Sequence, residues 1–169
     1  MMAKNKRINI LNELHSNGII KEQIKEHKDI LNLKSSISYR LNEITSDNND
    51  KMALTHYEPE IKKAIIHLRF HQGKEEIDYL LAIAHECRHI FQFEHIENYS
   101  KQLEDYNNDS TNLEKYNNQE VEIDANAYAS LYLQAKYQIK PLFNNFSEDT
   151  KNKIQKKADE IYKELTSNK

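Results

Sequence analysis

Glycine and proline are scarce, two of each (Gly18, Gly73, Pro59, Pro141), in a chain of 169 residues. So few breakers over this length argue for a mainly helical chain. Cysteine occurs once, as Cys87. No intrachain disulfide can form, which suits a reducing compartment. Long hydrophobic runs are also missing. Nothing approaches the ~20 apolar residues of a membrane span, and no apolar stretch of signal-peptide length follows the basic start Met1-Met2-Ala3-Lys4-Asn5-Lys6-Arg7. The expected location is the cytoplasm, with no membrane partner. Charge of one sign is lacking too: 24 Lys and Arg face 27 Asp and Glu, a net charge of −3. The one basic run, Lys151 to Lys157, falls in a helix-like segment and reads as a solvated face, so no nucleic-acid partner is expected.

What is present fits a soluble globular chain, with 38% apolar and 30% charged residues. The length suits one domain over 1–169, and no internal repeat is visible. Ile8, Leu11 and Leu14 recur at helical spacing and predict a helix over about 4–17. Ile20, Ile24 and the segment Lys28 to Leu33 allow a second. The pattern then changes period. Ile37, Tyr39 and Leu41 alternate with polar residues as in a strand. A turn cluster follows at Ser46 to Asp50. Met52 to Tyr57 reads as a second strand, Glu58-Pro59-Glu60 as a turn, and Ala64 to Phe70 as a third strand. Glu75 and Glu76 open a helix, where acidic side chains favour the positive end of the dipole. From Ile77 to Phe93 this helix is apolar on nearly every side, the mark of a buried helix. Asn98 to Asn118 is a polar connection with room for a short helix. Gln119 to Tyr137 is helical, with Pro141 as its stop, and Ser147 caps a last amphipathic helix reaching about Leu165.

The buried helix carries His85-Glu86-Cys87-Arg88-His89, an HExxH sequence. Four-residue spacing on a helix puts both imidazoles on one face, so two neutral nitrogens can reach one zinc ion at ~2.0–2.1 Å. Glu86 can lie beside the metal without ligating it and act as the general base for water that zinc has acidified. With eight histidines in the chain, such a pattern also arises by chance. Two unpartnered histidines would, however, be costly to bury on this helix.

A third ligand is needed. His95 has the metzincin spacing HExxHxxGxxH, but Gln92 stands where that pattern has its chain-turning glycine, and no methionine follows Met52. The downstream helix offers Glu122-Ile123-Asp124-Ala125-Asn126-Ala127-Tyr128-Ala129. This segment resembles the glutamate-helix motif E-x-x-A-[ND]-x-[FY]-A of gluzincin-type zinc metallopeptidases, most closely the ImmA/IrrE-like family. The resemblance covers roughly residues 50–135, including the strand–turn–strand before the HExxH helix. It implies Glu122 as the third zinc ligand. It places Asn126 where many gluzincins carry an Asp that orients a ligating histidine, and Asn can also accept from a ring N–H. Glu122, Ala125, Asn126 and Ala129 share a helix face, and the two alanines allow close packing on the HExxH helix. Glu120 with Asp124 is a rival pair. Arg88 departs from the glycine common before the second histidine, and no proline closes the glutamate helix at the usual place.

Other residues carry weaker cases. His67 and His71 read as strand residues about 13 Å apart. Cys87 points off the histidine face and reads as a small buried residue. Tyr128, Tyr132, Tyr57 and His56 could stabilise an oxyanion, though each is more often plain packing. The expected fold is α+β and zincin-like: an N-terminal helix, a small mainly antiparallel sheet with Met52 to Tyr57 as its edge, then the HExxH and glutamate helices. The expected activity is zinc-dependent hydrolysis of peptide bonds. The resemblance implies a protein or peptide substrate such as a bacterial repressor. A catalytically silent zinc-binding sensor of the same fold is the alternative.

Overall fold

A computed structural model describes residues 9–43, 51–96, 99 and 113–167. The predicted turn at 46–50, and residues 97–98 and 100–112 of the polar connection, lie outside the described residues. Two short helices come first, α1 (Ile10–Ser16) and α2 (Ile19–Ile30). The Asn9 side chain caps α1 by accepting from the Leu11 and Asn12 backbone N–H groups at 3.1 and 3.3 Å. Gly18 separates the two helices in the left-handed region, at φ 76°, a conformation glycine adopts without a Cβ penalty.

Three strands follow: β1 (Ser36–Leu41), β2 (Ala53–Glu58) and β3 (Lys63–Leu68). A 3₁₀ turn at Pro59–Ile61, closed by Lys62 at φ 48°, makes β2 and β3 an antiparallel hairpin. The strand order is β1-β3-β2. β1 runs parallel to β3, so the sheet is mixed rather than mainly antiparallel. The chain leaves β1, crosses to the far side of the sheet and returns through the hairpin, which seats β3 in the centre. Side-chain alternation is the same for either strand direction, which is why the sequence did not disclose this. Centrality shows in burial: Ala64, Ile65, Ile66 and Leu68 of β3 are all buried, whereas β1 alternates exposed and half-buried residues. β2 is an edge, as its sequence suggested.

Helix α3 (Glu76–His95) follows, then a short α4 (Leu113–Asn117), α5 (Glu120–Tyr137) and α6 (Glu148–Ser167). A capping box starts α3: Glu75 accepts from the Asp78 backbone, and Asp78 accepts from the Glu75 N–H at 2.9 Å. α5 stops at Tyr137 because Gln138 turns left-handed, at φ 58°, before Pro141 is reached. The Ser147 hydroxyl accepts from the Thr150 N–H at 3.2 Å and caps α6. α6 buries Thr150, Ile154, Ala158 and Ile161, a helical stripe. The described residues thus form an α+β structure of six helices and one three-stranded sheet. The core joins Leu11, Leu14 and Ile20 to Ile66, Leu68, Ile83, Ile90, Leu133 and Ile161, each such side chain contributing on the order of 1.5–3 kcal/mol. This core clamps α3 between the sheet and α5.

Candidate metal centre

His85 and His89 sit one turn apart on α3, and Glu122 lies in the first turn of α5. Alanines at 125, 127 and 129, all fully buried, let the two helices come close. The result is a convergence of three donor atoms. The two histidine Nε2 atoms are 2.9 Å apart. His85 Nε2 is 3.3 Å, and His89 Nε2 3.1 Å, from the Glu122 carboxylate. All three groups offer a ligand atom within 4.8 Å of the others, and among the described residues no other such group of His, Cys, Asp or Glu occurs. Glu120, the rival, is exposed. His95 ends α3, donates from Nδ1 to the Phe91 carbonyl of its own helix at 2.9 Å, and stacks on the Phe91 ring. Cys87 is fully buried, and burial pushes its thiol above the usual range.

The far side of each imidazole shows that the triad suits a cation. His89 Nδ1 lies 2.8 Å from Gln92 Oε1. That oxygen is identified by its partner nitrogen, because Gln92 Nε2 donates to the Val121 carbonyl at 2.9 Å and to the Asp124 carboxylate at 2.8 Å. His89 must therefore donate from Nδ1, which leaves the Nε2 lone pair aimed at the centre. Tyr99 also donates to Gln92 Oε1, at 3.2 Å. His85 Nδ1 faces Asn126 Oδ1 at 3.0 Å, which gives the same tautomer. Two lone pairs and a carboxylate thus face one point. Ligands of one ion at ~2.0–2.2 Å are separated by roughly 3–3.5 Å, close to the 2.9, 3.1 and 3.3 Å found here. The three residues could hold a metal ion.

Electrostatics agree. Burial alone would push the Glu122 carboxyl up, but the imidazoles of His85 and His89 outweigh it and hold it well below the usual carboxylate range. Burial alone would push His89 down, but Glu122, Glu86 and Gln92 outweigh it and raise it to about 9. A position that strongly favours a proton beside a buried carboxylate favours a divalent cation for the same reason.

Glu86 stands beside the triad, only 7% exposed. One carboxylate oxygen accepts from the Thr55 hydroxyl of β2 at 2.6 Å, and among the described residues none engages the other. Arg88 binds Asp124 through Nε and Nη2 at 2.7 and 2.9 Å. It thereby locks α3 to α5, and its guanidinium covers the Phe91 ring at 4.3 Å.

The sequence did not single out Thr55, Gln92, Tyr99 or the Arg88–Asp124 pair. Gln92 carried a usable signal, because it lies three residues past His89 on one helix face. Thr55 and Tyr99 carried none. The side chains considered for an oxyanion are engaged elsewhere. Tyr128 meets His27 at 2.8 Å, Tyr132 donates to Gln23 at 2.8 Å, Tyr57 accepts from Ser35 at 3.2 Å, and His56 lies on the exposed side near Glu58. No helix among the described residues is long and apolar enough to cross a membrane. No family model, no curated protein and no solved structure matches the chain.

Proposed function

We propose that this chain is a zinc-dependent metallopeptidase of zincin-like fold, acting on protein or peptide substrates in the cytoplasm. The observation that carries the reading is the meeting of His85, His89 and Glu122 from two helices, with the Glu86 carboxylate beside them. The donor set, two imidazoles and one carboxylate, is the one that catalytic zinc accepts while keeping a position open. A zinc ion held there would polarise a scissile carbonyl and acidify water.

The chain's own residues supply the rest. Glu86 takes a proton from the attacking water and passes it to the departing amine. Thr55 holds one Glu86 oxygen and leaves the other for that proton. Asn126 and Gln92 keep the two imidazoles in the tautomer that presents Nε2.

Substrate positioning follows from the register of β2. The Arg69 N–H donates to the Met52 carbonyl at 2.9 Å, so in the antiparallel ladder the backbone groups of Ala53, Thr55 and Tyr57 turn to the free edge. An extended peptide added there would pair with the backbone of the residue whose hydroxyl holds the base. That coupling supports a protein or peptide substrate, such as a repressor or another regulatory protein.

The test is zinc quantification on protein purified without added metal, followed by hydrolysis of an unfolded protein substrate. One zinc per chain and measurable cleavage are expected. Glu86→Gln should keep the zinc and lose at least about a hundredfold in rate, the worth of a general base. Cleavage that survives in the zinc-loaded variant overturns the mechanism. Zinc without any cleavage favours a silent zinc-binding module.

A further inference from the structure

The sheet has a second free edge, β1, remote in the strand order from β2. The Ser36 N–H donates to the Lys62 carbonyl at 2.9 Å and the Asn42 N–H to the Leu68 carbonyl at 2.6 Å. Alternate residues of a strand face the same neighbour. Ser36, Ser38 and Arg40 therefore turn their backbone groups to β3, and Ile37, Tyr39 and Leu41 turn theirs outward. Among the described residues nothing pairs with these outward groups.

The space beside this edge is a cleft of about 620 Å³ between β1 and α2. Its helix wall is the stripe Lys21, Ile24, Lys25 and Lys28, and Lys34 stands at the head of the strand. Ile24 and Ile37 give it an apolar floor. Four lysines line it and no Asp or Glu does, in a chain whose net charge is −3. Lys28 donates to the Ser35 carbonyl at 2.8 Å, and Lys34 to the Asn32 side chain. Lys21 and Lys25 are exposed and have no acidic partner among the described residues. Glu94, near the start of β1, is already engaged by the Lys34 and Ser35 N–H groups at 3.0 and 2.7 Å.

We infer that β1 and the lysine stripe of α2 form a docking site for an acidic extended segment of a partner protein, which adds to the sheet as a fourth strand. Outward N–H and C=O groups supply the ladder, the isoleucines receive its apolar side chains, and the lysines receive its carboxylates. A second copy of this chain is a poor occupant, because two lysine stripes would repel. Lysines that merely guard an edge stand on the edge strand itself. Here three come from the helix across the cleft. The inference does not depend on the metal centre.

The probe is a fluorescent peptide of alternating Glu and Val, titrated into the full chain by anisotropy. A Lys–Val peptide of equal length and a DNA duplex serve as controls. Saturable, salt-sensitive binding of the Glu–Val peptide alone is expected. Lys21→Glu with Lys25→Glu, both at exposed positions, should weaken it at least about tenfold. Ile37→Pro removes one outward N–H from an edge strand without touching the β1–β3 ladder, and should weaken it comparably. Hydrogen exchange at Ile37 and Tyr39 should slow when the peptide is added. The inference is overturned by absence of binding, by equal binding of DNA, or by binding that Ile37→Pro and the exchange rates ignore, which would mean charge attraction only.

Discussion

The Nε2 atoms of His85 and His89 face each other across 2.9 Å, with the Glu122 carboxylate beside both. Neither nitrogen can turn away, because each ring is held from behind, His85 by Asn126 and His89 by Gln92. Two lone pairs pressed against a buried carboxylate need a positive charge between them. A proton on His89 can supply it, and so can a metal ion. The proposed function follows from the second choice, and its consequences can be measured one residue at a time.

The identity of the third ligand gives the first prediction. Glu122→Gln removes the buried carboxylate that meets both imidazoles, whereas Glu120→Gln alters an exposed side chain. Glu122→Gln should lower zinc affinity at least about a hundredfold, and Glu120→Gln should leave it within a factor of about two. Competition with a chromophoric chelator reads both values. Equal losses in the two variants would show that the carboxylate binding the ion had been misassigned.

A second prediction concerns Gln92, which joins His89 to Asp124 and to the Val121 carbonyl. Gln92→Ala leaves His89 Nδ1 only the longer contact with the Tyr99 hydroxyl at 3.2 Å, so the ring's tautomer is held less firmly. Zinc affinity should fall by roughly ten- to a hundredfold. Gln92→Glu keeps an acceptor for His89 but turns two former donor contacts into repulsions with Asp124 and the carbonyl, so it should recover only part of the affinity. Full affinity in Gln92→Ala, measured by the same chelator competition, would mean that the Tyr99 hydroxyl, 3.2 Å from the same nitrogen, is enough to orient His89.

Acid stability provides the third. His27 is fully buried between α2 and α5, with Nδ1 2.8 Å from the Tyr128 hydroxyl, its ring against Tyr132, and Nε2 without a partner. Burial lowers it to about 4; Glu26 acts in the opposite sense, and Lys136 adds to the lowering. The folded pKa lies below the unfolded value near 6.5, so between these limits the unfolded chain binds a proton that the folded chain refuses. The stability contributed is intact above pH 6.5 and is lost as pH falls towards 4, by on the order of 3 kcal/mol. Urea unfolding of wild type and His27→Gln across that window should show a shallower loss in the variant. Parallel curves would place the acid sensitivity in other groups. The comparison of slopes cancels what His89 contributes to both proteins.

Much of the frame is local and was therefore readable. The HExxH helix announces itself by an all-round apolar surface and by Glu75 and Glu76 at its start, and it forms over Glu76–His95. Ser147 stops one segment and starts another by a side-chain hydrogen bond to Thr150, a short-range device. Gln138 shows where this kind of reading loses resolution. Pro141 suggested where α5 stops, but the backbone turns left-handed three residues earlier. Mixed pairing in the sheet was hidden for a different reason, since the strands of either direction share one alternation.

Residue identity and spacing by themselves determined that His85 and His89 share a helix face, with Glu86 next in the chain, and that Glu122 heads another helix face lined with alanine. These are consequences of 3.6 residues per turn and hold wherever the helices lie. Only the tertiary structure decided that the two faces meet and that β2 brings Thr55 to Glu86. It also decided that Gln92 spans His89 and Asp124, and that β1 is left as an open edge beside lysines of α2. The contacts of Thr55 with Glu86, of Gln92 with Asp124 and of Arg88 with Asp124 join positions 31 to 36 residues apart across packed elements, and no local rule of backbone or side-chain geometry reaches that far.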